Sequence, residues 1–127
     1  MREMAALAAL MQSLVVDLDR RLESGETLPT MPPWHVQENK WRAARYGLEA
    51  EIILDAKGAE RLVTDDLADL LTRLAPLARE LDCEDELASV ADIPIHGASY
   101  QRQRAVAAET GGDLVAVVDS VIRELEI

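Results

Sequence analysis

The first 24 residues constrain this chain most. Met4, Leu7, Met11, Leu14, Leu18 and Leu22 recur at helical spacing. They predict a long helix over residues 2–24, closed by Gly25 as its C-terminal cap. Leu10, Val15 and Val16 widen the apolar surface, so the first half of the helix is apolar nearly all round. Such a helix needs neighbours on every side. A chain of 127 residues holds one domain and one core, with few elements to surround that helix. A partner, or a further part of the protein, is expected to cover it.

The remaining residues read as shorter pieces. Residues 26–33 (ETLPTMPP) form a proline-rich connector, extended before Pro29 and Pro32. Residues 34–46 read as a helix ended by Gly47, and residues 48–63 as a β-hairpin turning through 55–58. Two strands alone are marginal in water, so the hairpin should rest on something larger. Thr64 predicts an N-cap for a helix to about residue 81, with Leu67, Leu70, Leu71, Leu74, Leu77 and Leu81 buried and Pro76 kinking or dividing it. A short helix over 84–91, a loop over 92–98 and a helix capped by Ser99 follow. Gly111-Gly112 breaks that helix, and Asp113 starts a last one with Leu114, Val117, Val118, Val121, Ile122 and Leu125 on its buried face. The expected class is mainly α with one short β-hairpin, and residues 64–127 form the helical region.

Charge removes several functions. The net charge of −11 disfavours nucleic acid, whose phosphates need a basic surface, and anionic membranes for the same reason. The apolar run near the N-terminus contains Gln12 and Ser13 and is too short to span a bilayer. Cys83 stands alone, so no intrachain disulfide forms, and a cytoplasmic protein is the simple expectation.

Chemistry concentrates in residues 38–47, ENKWRAARYG, which carry +2 while the rest of the chain carries −13. Three of the four aromatic residues (Trp34, Trp41, Tyr46) fall in or beside this stretch, in a chain with no Phe. At helical spacing Glu38, Arg42 and Arg45 share a face next to Trp34 and Trp41. Aromatic bracing would hold guanidinium groups at the rim of a site for carboxylate or phosphate. A surface salt bridge with two buried tryptophans explains the same spacing.

The stretch ENKWRAARYGLEAEI closely resembles a segment of the carboxylate–amine ligases, the glutamate–cysteine ligases of type 2. Upstream, LAALMQSLVVDLDRRLESGETLP is similar to the family's long helix and connector, and HGASYQRQRAVAAETGGDLVAVVDSVIREL to its closing helices. The resemblance covers nearly all of this chain and the last third or so of the family's polypeptide. It implies the C-terminal part of a glutamine-synthetase-like α+β fold. It also implies an ATP- and Mg2+-dependent reaction joining glutamate to an amine such as cysteine through an acyl-phosphate. By motif position Asn39, Lys40, Arg42 and Arg45 would bind substrate or ATP, Arg42 and Arg45 acting catalytically. Glu38, Trp41 and Tyr46 would support them, Glu38 by orienting Arg42. Arg102 and Arg104 are weaker candidates, since two-residue spacing points them to different sides of a helix.

No metal site is expected here. His35 and His96 lack ligand spacing, Glu49 and Glu51 read as a solvated strand face, and Cys83 has no activating base nearby. There is no glycine-rich phosphate loop. The chain alone is therefore expected to bind no cofactor and to be inactive, its partner being the missing N-terminal catalytic portion or a second copy. The alternative is a non-catalytic helical interaction or regulatory module derived from such a ligase.

Overall fold

The structure is a computed structural model that describes residues 2–125. Seven helices and two strands follow one another among the described residues: α1 (Arg2–Glu23), α2 (Pro33–Tyr46), β1 (Glu51–Ile53), β2 (Glu60–Leu62), α3 (Val63–Glu80), α4 (Glu84–Ala88), α5 (Asp92–His96), α6 (Ser99–Glu109) and α7 (Leu114–Leu125). The chain is mainly α with one antiparallel hairpin, as its sequence pattern predicts.

The core lies where α1 crosses α3 and α4. Ala9, Leu74, Ala78 and Leu87 form its buried centre, with Leu10, Leu14, Leu70, Leu71 and Cys83 packed around them. Small side chains let α1 approach closely, because Ala6, Ala9 and Ser13 are the buried residues of that helix. The predicted stripe of large residues is divided. Leu14 packs on the core, whereas Met4, Leu7, Met11 and Leu22 stay exposed on the other side. Gly25 ends α1 in the expected left-handed conformation, its N–H and that of Glu26 donating to the carbonyls of Leu22 and Arg21.

Several boundaries differ from the sequence pattern for identifiable reasons. Val63 N–H donates to the Ala50 carbonyl (2.8 Å), so the hairpin ladder runs directly into α3. Leu62 consequently occupies the N-cap, and Thr64 lies inside the first turn. Pro76 does not divide α3, which continues past it to Glu80. Residues 92–98, read as a loop, contain helix α5. Ala98, rather than Ser99, is the N-cap of α6, and Gln101 Oε1 accepts from its N–H at 2.8 Å. Asp113 does cap α7, its Oδ1 accepting from Val115 N–H at 2.9 Å.

The predicted buried face of α7 is not buried. Val117 and Val121 are half-covered, while Leu114, Val118, Ile122 and Leu125 face solvent. The cause is that α7 packs chiefly on α6, leaving its apolar side without a neighbour. A guanidinium fastens this helical pair to the body. Arg102 on α6 binds Glu124 of α7 through Nε (2.9 Å) and Nη2 (3.0 Å), Glu3 of α1 at 2.8 Å and the Gly97 carbonyl at 2.5 Å. Those contacts, the hydrogen bond to Glu124 first, raise the Arg102 pKa above its ordinary value.

Candidate functional site

Strand β1 has two edges. Its residues pair with β2 in the register Glu51↔Leu62, Ile52↔Arg61 and Ile53↔Glu60. Leu54 N–H donates to Ala59 (2.7 Å) and Ala50 accepts from Val63, so the even positions hydrogen-bond across the hairpin. The backbone groups of Glu51, Ile53 and Asp55 therefore point outward. Unpaired, they would be a free edge.

Helix α2 satisfies that edge with side chains. His35 Nδ1 donates to the Asp55 carbonyl (3.2 Å). Asn39 Nδ2 donates to the Ile53 carbonyl (2.8 Å) while Asn39 Oδ1 accepts from Ile53 N–H (2.7 Å). Arg42 Nη1 donates to the Glu51 carbonyl (3.0 Å). Helix positions i, i+4 and i+7 thus meet strand positions two apart, about one helical turn matching two strand residues in length. Asn39 and Arg42 of the motif are thus engaged with the strand edge.

The bracket fixes Arg42 in a cleft. Its Nε donates to Glu38 at 2.9 Å and its Nη1 contacts Glu60 at 2.8 Å. The hydrogen bond to Glu38 first, and that to Glu60 next, hold the guanidinium pKa above its ordinary value. Nη2 meets no acceptor among the described residues. The cleft encloses about 420 Å³ and is lined by Glu38, Trp41, Arg42, Tyr46, Glu49, Glu51 and Glu60. Trp41 and Tyr46 meet edge-on at 5.8 Å between ring centroids.

The sequence candidates separate accordingly. Glu38, Trp41, Arg42 and Tyr46 come together in the cleft, with Glu38 bonded to Arg42. Asn39 turns to the strand, both ends of its amide occupied. Lys40 and Arg45 are exposed and do not line the cleft, the Arg45 guanidinium lying 5.6 Å from the Tyr46 ring centroid. Arg102 sits in its ion-pair hub and Arg104 is exposed without an ion pair among the described residues. The tryptophans are not buried: Trp34 is 68% and Trp41 55% exposed. Sequence reasoning missed Glu60, and gave His35 no structural part. The signal for His35 was its spacing from Asn39 and Arg42.

Gly47 closes the motif for two reasons. Its φ of +57° and ψ of −124° suit glycine, and a Cβ there would lie 2.6 Å from Tyr100 Oη on α6. The motif's end and the C-terminal helical pair therefore touch.

Lining charges decide what the cleft suits. Four glutamates accompany one arginine that two of them already neutralise. That arrangement repels the phosphates of a nucleotide. Among the described residues no group of three or more His, Cys, Asp or Glu side chains is placed to hold a metal ion. No described helix is long and apolar enough to cross a membrane.

Comparison with known proteins agrees with the motif. A family model described as "Glutamate-cysteine ligase family 2(GCS2)" matches residues 1–120. A protein of Mycobacterium ulcerans (strain Agy99) named "Putative glutamate--cysteine ligase 2" is 74% identical over 127 residues, all of this chain and 32% of that protein. "Putative glutamate--cysteine ligase 2-1" of Mycobacterium sp. (strain KMS) is 72% identical over 98% of this chain and 33% of its own length. "Putative glutamate--cysteine ligase 2-3" of Nocardioides sp. (strain ATCC BAA-499 / JS614) is 72% identical over 97% and 33%. No solved structure matches. The chain spans about a third of the length of these relatives. With the family model matched across nearly its whole length, the chain belongs to glutamate–cysteine ligase family 2.

Proposed function

We propose that this chain is the C-terminal segment of an ATP-dependent carboxylate–amine ligase, and that its cleft binds an amino-acid substrate. The complete enzyme would join a glutamate carboxylate to an amine such as that of cysteine through an acyl-phosphate. Nucleotide and magnesium belong, on this reading, to the remaining two-thirds of the polypeptide. One observation carries the cleft's role. Arg42 keeps Nη2 open, while Glu49 and Glu51 line the same cleft without an ion pair among the described residues. A guanidinium edge recognises a carboxylate, and carboxylates recognise an ammonium group. An amino acid carries both.

Aromatic walls add shape. Trp41 and Tyr46 present rigid apolar surface beside the charged groups and support an ammonium electrostatically. Lys40 and Arg45, outside the lining, would act only if the rest of the enzyme brings a phosphate or carboxylate to them.

The test is reconstitution. The chain is mixed with the remaining two-thirds of the Mycobacterium ulcerans relative, and ADP release is followed with glutamate and cysteine. The expected result is turnover from the mixture and none from the chain alone. Arg42→Ala should abolish it, and Glu49→Gln/Glu51→Gln should lower kcat/KM by roughly tenfold or more, the worth of one charged hydrogen bond. The glutamate pair separates binding from folding, since neither side chain holds any described element in place. Full turnover in both variants would refute the assignment.

A further inference from the structure

Helix α1 has two opposed faces. Ala6, Ala9 and Ser13 are buried against the body, and Met4, Leu7, Met11, Val15 and Leu22 project the other way. Met4, Leu7, Met11 and Val15 recur every three or four residues, and Leu22 follows two turns later, along a helix of 22 residues, roughly 33 Å long. Met4 is 68% exposed and Met11 64%. Solvent contact along such a stripe is unfavourable.

This stripe does not end at α1. A groove of about 390 Å³ joins Met4 to Val121 and Leu125 on α7, with Arg2, Arg102 and Glu124 among the charged groups at its rim. Beyond it, Leu114, Val118 and Ile122 carry the apolar surface along α7. Monomeric proteins rarely leave so extended an apolar surface in water.

Two facts choose the occupant. Relatives whose sequence matches this chain end to end are about three times its length, so two-thirds of their polypeptide lies outside it. Each copy of this chain carries −11, and a pair of copies would bring like charge together. We infer that the outer face of α1, continued through the groove onto α7, is the surface on which the remaining two-thirds of a family 2 glutamate–cysteine ligase packs. The inference rests on the ligase reading above and names the partner that reading requires. The partner must present a complementary apolar ridge, with few charges at its centre.

Methionine oxidation reads the face directly. Met4 and Met11 lie on it, and half-buried Met31, in the connector, serves as internal reference. Hydrogen peroxide should convert Met4 and Met11 in the isolated chain at nearly the rate of an unfolded peptide. Sedimentation should show a monomer. Adding the remaining two-thirds of the Mycobacterium ulcerans relative should slow both by roughly tenfold or more without changing Met31. Leu7→Glu/Val15→Glu, at exposed positions and with helicity checked by circular dichroism, should weaken the complex at least about tenfold. Protection already present in a dimer of the isolated chain would overturn the inference in favour of a second copy. Failure of the two pieces to associate would overturn it as well. Ligase turnover with Met4 and Met11 still fully reactive would overturn it while leaving the proposed function standing. Protection without turnover would support it and refute the proposed function.

Discussion

Asn39 shows how a motif residue can be legible in type and misread in role. Its position in ENKWRAARYG suggests contact with substrate, yet both ends of its amide hold Ile53. A sequence cannot show which polar side chains of a helix face a strand edge, because that depends on where the hairpin docks. Asn39→Ala leaves one N–H and one carbonyl of β1 without partners. We expect a loss of about 1–3 kcal/mol in chemical denaturation, with hydrogen exchange at Ile53 accelerated first. Gly47 was legible as a helix stop, but the approach of Tyr100 was not, because it comes from α6, some fifty positions away. Gly47→Ala must pay for a conformation that suits glycine and displace that phenol. A cost of about 2 kcal/mol is expected, read as a lower Tm. Ala43→Gly, at an exposed position in the same helix, should cost only about 1 kcal/mol.

At the scale of elements, periodicity revealed the helices, and tertiary contacts moved their ends. The start of α3 shifted because Val63 serves the hairpin ladder as well as the helix. The interior of α3 absorbed Pro76 where local rules predict a break. Attachment of α6 and α7 was invisible in sequence, since Glu3, Arg102 and Glu124 lie far apart along the chain. This attachment should respond to pH. The hydrogen bond from Arg102 lowers the Glu124 pKa below its ordinary 4.5. A depressed carboxylate contributes stability above its unfolded value and loses it as pH falls through its folded value. Acidification below about pH 4.5 should therefore loosen α6 and α7 before the core of α1, α3 and α4 melts. Amide exchange corrected for its intrinsic pH dependence checks this order. Glu124→Gln should abolish the pH dependence and leave the pair loosened at neutral pH.

Viewed as a whole, the molecule has a small core and a large apolar exterior. The sequence disclosed the excess, through a first helix apolar nearly all round, and disclosed the family through its motif. It could not disclose which side would be exposed, because alanines and a serine, rather than the large residues, make the close contact with α3 and α4. The isolated chain should bind a hydrophobic dye such as anilinonaphthalene sulfonate strongly while retaining cooperative unfolding. Leu7→Glu/Val15→Glu should lower that fluorescence severalfold with helicity unchanged; unchanged fluorescence would locate the dye elsewhere. The cleft beside α2 has an acidic lining, which on the proposal above suits an amino acid better than a nucleotide. Steady-state kinetics of the reconstituted enzyme carrying Arg42→Lys test that distinction most directly. The account predicts that KM for an amino-acid substrate rises roughly tenfold or more while KM for ATP stays within about twofold, since lysine cannot hold Glu38, Glu60 and the Glu51 carbonyl and still present an N–H to the substrate. A raised KM for ATP with both amino-acid values unchanged would contradict it.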